Sequence, residues 1–174
     1  GCYLLGLGIE SGVQEILDNA KKNQTLADTR RAVALCKKVG IRTMGHFIFG
    51  LPGETRETAE KTIQFLLSLD LDYMQSYCAV PYPKTEFGAM AKQKGWIRTV
   101  PWSQYDFGGT SIVDMKTLTP EDVTFFRERA FKKFYYRPLY LIKKIKEFSF
   151  HQLFTLSKFT RWMISKKKSK GASV

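Results

Sequence analysis

Cysteine is scarce in this sequence: Cys2, Cys36 and Cys78 are the three among 174 residues. Their odd number and long spacings exclude a disulfide framework and fit a reducing, cytosolic setting. Each reads as a small buried hydrophobe. No two are spaced as a metal clip, so neither a zinc site nor an iron–sulfur cluster can be built from local ligands. Long apolar runs are missing as well. None approaches the roughly 18–20 residues of a membrane span, and no charged leader with a cleavage site precedes the first apolar run, so a signal peptide is not indicated. The sequence starts at Gly1, and this start is expected to be a cut through a longer protein. Net charge is absent from the first 126 residues, which hold 14 residues of each sign. The formal +12 lies wholly from Arg127 onward, where 14 Lys and Arg meet Glu128 and Glu147. A neutral body with a basic tail points to a docking surface rather than a basic active site. With 44% apolar residues, most of the chain is globular, not disordered.

The first half alternates strand and helix signals. Tyr3 to Ile9 is a short apolar run closed by Glu10, Ser11 and Gly12, as a buried parallel strand entering a loop would be. A short helix is expected from Val13 to Ala20. Thr25, with Asp28 three residues on, marks the next helix start, and Ala32, Leu35, Cys36 and Val39 are its expected apolar face. Lys37 and Lys38 suit its last turn, and Gly40 can close it. Ile41 to Phe49 reads as a second strand. It must turn at Pro52, after which Thr55 starts a helix with Ala59, Ile63, Leu66 and Leu67 on its apolar face. Tyr73 to Val80 is a third strand, stopped by Pro81 and Pro83. This order is the signature of parallel βα units, an α/β class. Two such units cannot close a barrel, so the sheet is expected to be part of a larger one. Trp96 to Met115 reads as a long covering loop. Thr119-Pro120-Glu121-Asp122 then opens a helix toward Tyr136, followed by helical Leu139 to Phe148 and a last aromatic stripe running into Lys166-Lys167-Lys168.

Two segments carry chemistry, both at the C-terminal ends of expected strands, where parallel barrels bind ligands. They are Gly8-Ile9-Glu10-Ser11-Gly12 and Gly50-Leu51-Pro52-Gly53-Glu54-Thr55. Either alone reads equally well as a tight turn. Glu10 adds weight, because an acid ending an apolar strand needs a partner and can receive a cationic or hydroxyl ligand. Together, with the helix between them, the two segments resemble the second half of the radical S-adenosylmethionine (SAM) core. There, Glu or Gln followed by Ser comes after the fourth strand, and a Gly-Leu-Pro-Gly-Glu-type loop follows the fifth. Ala79 to Phe87 is similar to the family's Pro-x-Pro-Gly-Thr-Glu segment, with Lys84 in place of the usual Gly. Phe134-Tyr135-Tyr136-Arg137-Pro138 resembles a Phe-Tyr-x-Arg-Pro element of the branch often preceded by a cobalamin-binding domain, which includes the anaerobic magnesium-protoporphyrin ester cyclases.

The resemblance implies a partial radical SAM barrel over residues 1–95, a covering loop and mostly helical extension over 96–148, and a basic amphipathic tail over 149–174. It implies SAM bound to a [4Fe–4S] cluster and cleaved by one electron to a 5′-deoxyadenosyl radical, with the protein placing substrate and excluding water. Glu10 and Ser11 would meet a polar group of SAM, Lys22 its carboxylate, and the backbone of Ile48 and Gly50 its adenine. His46 and Tyr82 would face a small-molecule substrate, although a core histidine and plain aromatic packing explain them as well. No Cys-x3-Cys-x2-Cys occurs in the sequence. In the family it precedes the barrel's first helix, so the cluster ligands, and any cobalamin domain, are expected in a missing N-terminal half. The isolated chain is then expected to hold no cluster and to perform no turnover. Methyl transfer and oxidative cyclisation both remain open. The alternative is a non-catalytic basic module docking on nucleic acid or an anionic membrane surface. Of the two surfaces the membrane is favoured, since no nucleic-acid motif is present. A cytoplasmic location, with peripheral membrane attachment as an option, follows.

Overall fold

A computed structural model of the chain describes residues 1–98 and 100–147. The basic tail, 149–174, lies outside the described residues, and with it the last aromatic stripe. The described residues fall into two units, 1–134 and 135–147. The first runs β1 (Leu4–Glu10), α1 (Gln14–Asn19), α2 (Leu26–Lys38), β2 (Arg42–Phe49), α3 (Arg56–Ser68), β3 (Tyr73–Cys78) and α4 (Glu86–Gln93), and ends in α5 (Pro120–Tyr135). The three strands form one parallel sheet in the order β1-β2-β3. This is the α/β arrangement that the alternating signals predict.

Local chemistry sets the helix ends. Thr25 and Asp28 form a reciprocal capping box on α2, with Asp28 N–H donating to Thr25 Oγ1 at 3.0 Å and Thr25 N–H to Asp28 Oδ2 at 3.1 Å. Thr55 and Thr58 do the same for α3, and Thr119 and Asp122 for the start of α5. At the other end of α2, Lys37 Nζ lies 2.8 Å from Asp72 Oδ2. That same oxygen accepts the Thr43 N–H at 2.9 Å, so one carboxylate joins α2, β2 and the start of β3.

Along β2 burial alternates strictly. Thr43, Gly45, Phe47 and Phe49 are buried beneath the helices, while Met44, His46 and Ile48 stand half-buried on the opposite face. Ile9, Met74 and Cys78 join Phe47 and Phe49 in the core, with Val33, Ile63 and Leu66 buried on the helices. The expected face of α2 needs correction. Thr29, Val33 and Cys36 are its buried line, whereas Leu35 and Val39 are 55% and 67% exposed. The two stripes share Cys36 and run side by side on the helix, and contact with the sheet selects the one that carries Thr29 and Val33.

The stretch expected to cover the barrel half packs within the first unit. Ile112, Val113, Met115 and Leu118 are buried, Val113 bridges antiparallel to Ile97, and Met115 to Leu118. Arg98 pairs with Asp114 and Glu121 across it. In the second unit, α6 (Pro138–Glu147) sets the Tyr140 ring edge-on to Tyr135 at 5.5 Å and leaves Leu139, Leu141, Ile142 and Ile145 exposed. Among the described residues no helix is long and apolar enough to cross a membrane.

Candidate cofactor and substrate site on the open sheet face

The half-buried face of the sheet carries a row of polar groups. Parallel register puts Gly6 and Gly8 of β1 beside Met44 and His46, and Gln75 and Tyr77 of β3 beside His46 and Ile48. At its upper end β1 breaks step: Gly8 pairs with His46, but Glu10 pairs with the very next residue, Phe47. Glu10 takes a left-handed backbone, φ 62°. That conformation costs a non-glycine residue on the order of 1–3 kcal/mol and is kept where the surroundings demand it. Here the demand is visible. Lys21 and Asn23 are also left-handed, which turns the chain after α1 back toward the strand, and Lys22 Nζ reaches Glu10 Oε1 at 2.8 Å. Gln24 holds the same strand end through the carbonyls of Gly8 and Ile9, at 3.3 and 3.2 Å. The ion pair lies over bare backbone. A Cβ on Gly8 would sit 2.7 Å from Glu10 Oε1 and 3.0 Å from Lys22 Nζ, so glycine is what lets the pair approach the sheet.

Ser11 faces elsewhere. Its side chain is fully buried, with Oγ 3.0 Å from Thr62 Oγ1 and accepting the Val13 N–H at 3.2 Å. It anchors the loop to α3. Ile48 packs against the buried cluster of Ile16, Leu51 and Ala79. Gly50, φ +89°, begins the Gly-Leu-Pro-Gly-Glu turn, and its N–H donates to Glu54 Oε2 at 2.5 Å. A Cβ there would press on the Val123 methyls at 3.1 and 3.2 Å. Glu54 is fully buried and its Oε1 has no hydrogen-bond partner. Burial pushes its carboxyl up to about 8, against the pull of the Gly50 and Leu51 N–H groups.

His46 is tied across the face. Its Nδ1 lies 3.2 Å from the Tyr77 hydroxyl, and the two rings stack at 5.9 Å. Tyr77 donates its own proton to Gln75 Oε1. Burial and the nearby Glu10 charge raise the phenol, which stays protonated. The other ring nitrogen of His46, Nε2, lies beside Gly6. Tyr82 donates to the Tyr105 carbonyl at 3.3 Å and meets the Phe107 ring edge-on at 5.8 Å, and Phe107 in turn meets Tyr77 at 6.1 Å. The structure thus brings Glu10 and Lys22 together and links Tyr82 to His46 through two aromatic rings. It turns Ser11 toward α3. Tyr77, Gln75 and Gln24 were not singled out in the sequence, although Gln75 and Tyr77 recur at the two-residue period of an exposed strand face; Glu54 was named only as the end of the Gly-Leu-Pro-Gly-Glu segment, without a role of its own.

Residues 1–66 match the radical SAM superfamily domain. Over 94% of its length the chain is 35% identical to an uncharacterized methyltransferase of Pyrococcus horikoshii, of which it spans 35%. It is 28% identical over 78% of its length to the anaerobic magnesium-protoporphyrin IX monomethyl ester cyclase of Cereibacter sphaeroides, spanning 22% of that protein. Among solved structures, the radical SAM methyltransferase TsrM of Kitasatospora setae, with cobalamin and a [4Fe–4S] cluster bound, aligns with 58% of the chain and 21% of its own, at 32% identity and a TM-score of 0.47. The chain therefore spans about a third or less of the length of these relatives. Its motifs and the family match agree, and residues 1–66 of the chain carry the radical SAM superfamily domain.

Proposed function

We propose that the open sheet face is the SAM and substrate side of a radical SAM enzyme that transfers a methyl group or closes a ring oxidatively. The observation that carries this reading is the Glu10–Lys22 pair held over Gly8. SAM presents an ammonium and a carboxylate on one carbon, and a carboxylate beside an ammonium on the protein offers a counterpart to each. Binding would exchange one internal ion pair for two external ones, so no charge is left unmatched. Gly50 and Ile48, at the end of the neighbouring strand, offer backbone to a flat base, and Glu54 fixes that backbone by accepting the Gly50 N–H. Bound there, SAM supplies a carbon–sulfur bond open to one-electron cleavage. His46, held at Nδ1 by the Tyr77 hydroxyl, has the proton-accepting role toward substrate at Nε2. Tyr82 and the Phe107 ring exclude water at the mouth.

The residues present do not fit a [4Fe–4S] cluster. Among the described residues no three His, Cys, Asp or Glu side chains converge, and burial pushes the Cys78 thiol up to about 11, away from the thiolate a cluster needs.

Replacing Glu10 by Gln, or Lys22 by Met, is expected to weaken SAM binding by about 1.5–3 kcal/mol each, the worth of a hydrogen bond to a charged group. Calorimetric titration with SAM checks it, and unchanged affinity in both folded variants would reduce the pair to a turn device. A second reading, docking on an anionic membrane, is favoured by the exposed Leu139, Ile142 and Ile145 of α6 flanked by Lys143 and Lys146. Co-sedimentation with vesicles containing phosphatidylserine, lost at high salt and absent with neutral vesicles, is the expected result. Equal binding to both would remove the electrostatic part.

A further inference from the structure

A second cleft lies apart from the Glu10–Lys22 pair, at the outer edge of the sheet. It holds about 380 Å³ between β3 and α5 and is lined by Gln75, Ser76, Tyr77, Arg127, Phe131 and Lys132, among others. Ser76 Oγ donates to the Arg127 carbonyl at 2.9 Å, which sets the spacing of strand and helix. The chemistry centres on Arg127, whose side chain is 17% exposed. Its Nη1 donates to the Gly108 carbonyl, which fixes the plane of the guanidinium. The opposite edge, Nε and Nη2, is the fork that grips a carboxylate with two parallel bonds. Here Nε is buried without a hydrogen-bond partner, and Nη2 stands 3.7 Å from Glu128 Oε1, too far for a hydrogen bond. Glu128 is itself shared with Lys132 Nζ at 3.4 Å. Two cations therefore border the cleft with one loosely held carboxylate between them. Phe131, 47% exposed, and Tyr77 add aromatic surface to its wall.

We propose that this cleft is a binding site for a small molecule with a carboxylate on a flat, apolar body: the carboxylate on the Nε–Nη2 edge of Arg127, the body against Phe131 and Tyr77. A low-dielectric wall strengthens the field of a charge whose one carboxylate neighbour stands 3.7 Å away and is shared with Lys132, and an unmet buried donor gains more from an incoming acceptor than a solvated one does. Tyr77 also touches His46, so the site adjoins the open face. The inference leans on the proposed function only in naming the ligand as the substrate. The binding itself stands on the cleft.

The test is a titration of the 174-residue chain with benzoate and, separately, with benzamide, followed by backbone amide NMR. Benzoate is expected to shift residues 75–77, 108 and 127–132 and to bind at least about tenfold more tightly than benzamide, since a fork that pairs with a charge distinguishes the two. Arg127→Gln should lose that preference. Arg127→Lys, which keeps the charge without the fork, should recover a part of it. Lys132→Gln, on the exposed side of the cleft, should weaken benzoate a few-fold with the fold intact, and Lys94→Gln, which lines a different cleft, should leave it unchanged. Equal affinity for benzoate and benzamide, or undiminished benzoate binding in both folded Arg127 variants, overturns the site. A chain that binds benzoate here and fails to bind SAM retains this cleft and loses the reading of the Glu10 pair, so the two fail separately.

Discussion

Replacing Glu54 by glutamine removes a loss of stability that the unaltered chain suffers as pH rises from about 4.5 to about 8. The sign follows from burial. A carboxyl sealed in the interior, with one oxygen unpartnered, is held in its neutral form, so its folded pKa lies above its unfolded one. Below 4.5 the group is protonated in both states and costs nothing. Between 4.5 and 8 the unfolded chain gains by releasing the proton while the folded chain keeps it, and stability falls. Above 8 the loss is complete. The full span is on the order of a few kcal/mol. Glutamine keeps an acceptor for the Gly50 N–H and has no proton to release. Urea unfolding midpoints of the two proteins, measured at pH 5 and pH 8.5, should diverge at the higher pH in favour of the variant. Parallel midpoints would mean that Glu54 is not held neutral.

Phe47→Ala is expected to cost about 3–5 kcal/mol, the range for emptying a fully buried aromatic site. Phe47 has no exposure, and its ring closes so tightly on the strand that a Cβ added to Gly45 would lie 3.0 Å from Cε2. Ile9 and Leu71, both buried, crowd the same spot beside Gly45, so the ring sits in a closely filled part of the core. Met44→Ala, on the same strand but the opposite face, is expected to cost under about 1 kcal/mol, as a side chain away from the packed core does. The contrast is the informative part. Comparable losses in urea denaturation would mean that the face assigned here to ligands is packed as a second core.

What could be read from the sequence was what local chemistry decides. The capping residues Thr25, Thr55 and Thr119, the stop at Gly40 and the turn at Pro52 each act within a few residues, and each appears where the sequence puts it. The alternation of β2 was equally legible, because a period of two leaves no freedom once one face is buried. The side of α2 that meets the sheet was not: two neighbouring apolar stripes satisfy the helical period, and tertiary contact selects between them. The polar row fared unevenly for the same reason. Glu10 and Lys22 could be named through the family's motifs, but their meeting depends on three left-handed residues and a break in strand register. Ser11 follows that break, so no count along the strand could tell which way its hydroxyl turns. Gln75, Tyr77 and Arg127 acquire meaning only when β3 lies beside β2 and α5 beside β3.

The pairing pattern of the sheet also sets an order of assembly. Residue 4 must find residue 42, and residue 44 must find residue 73, with no hairpin to shorten either search. The intervening helices α2 and α3 carry complete capping boxes, so each can gather locally and draw its flanking strands together before the sheet exists. During synthesis β1 leaves the ribosome before β2, and β2 before β3, so each pairing within this sheet waits on the later strand. β2 is thus the strand with which both neighbours pair, and it carries buried core side chains on one face and the histidine of the candidate site on the other. A change in β2 that slows folding will register as lost function even where the finished structure is the same.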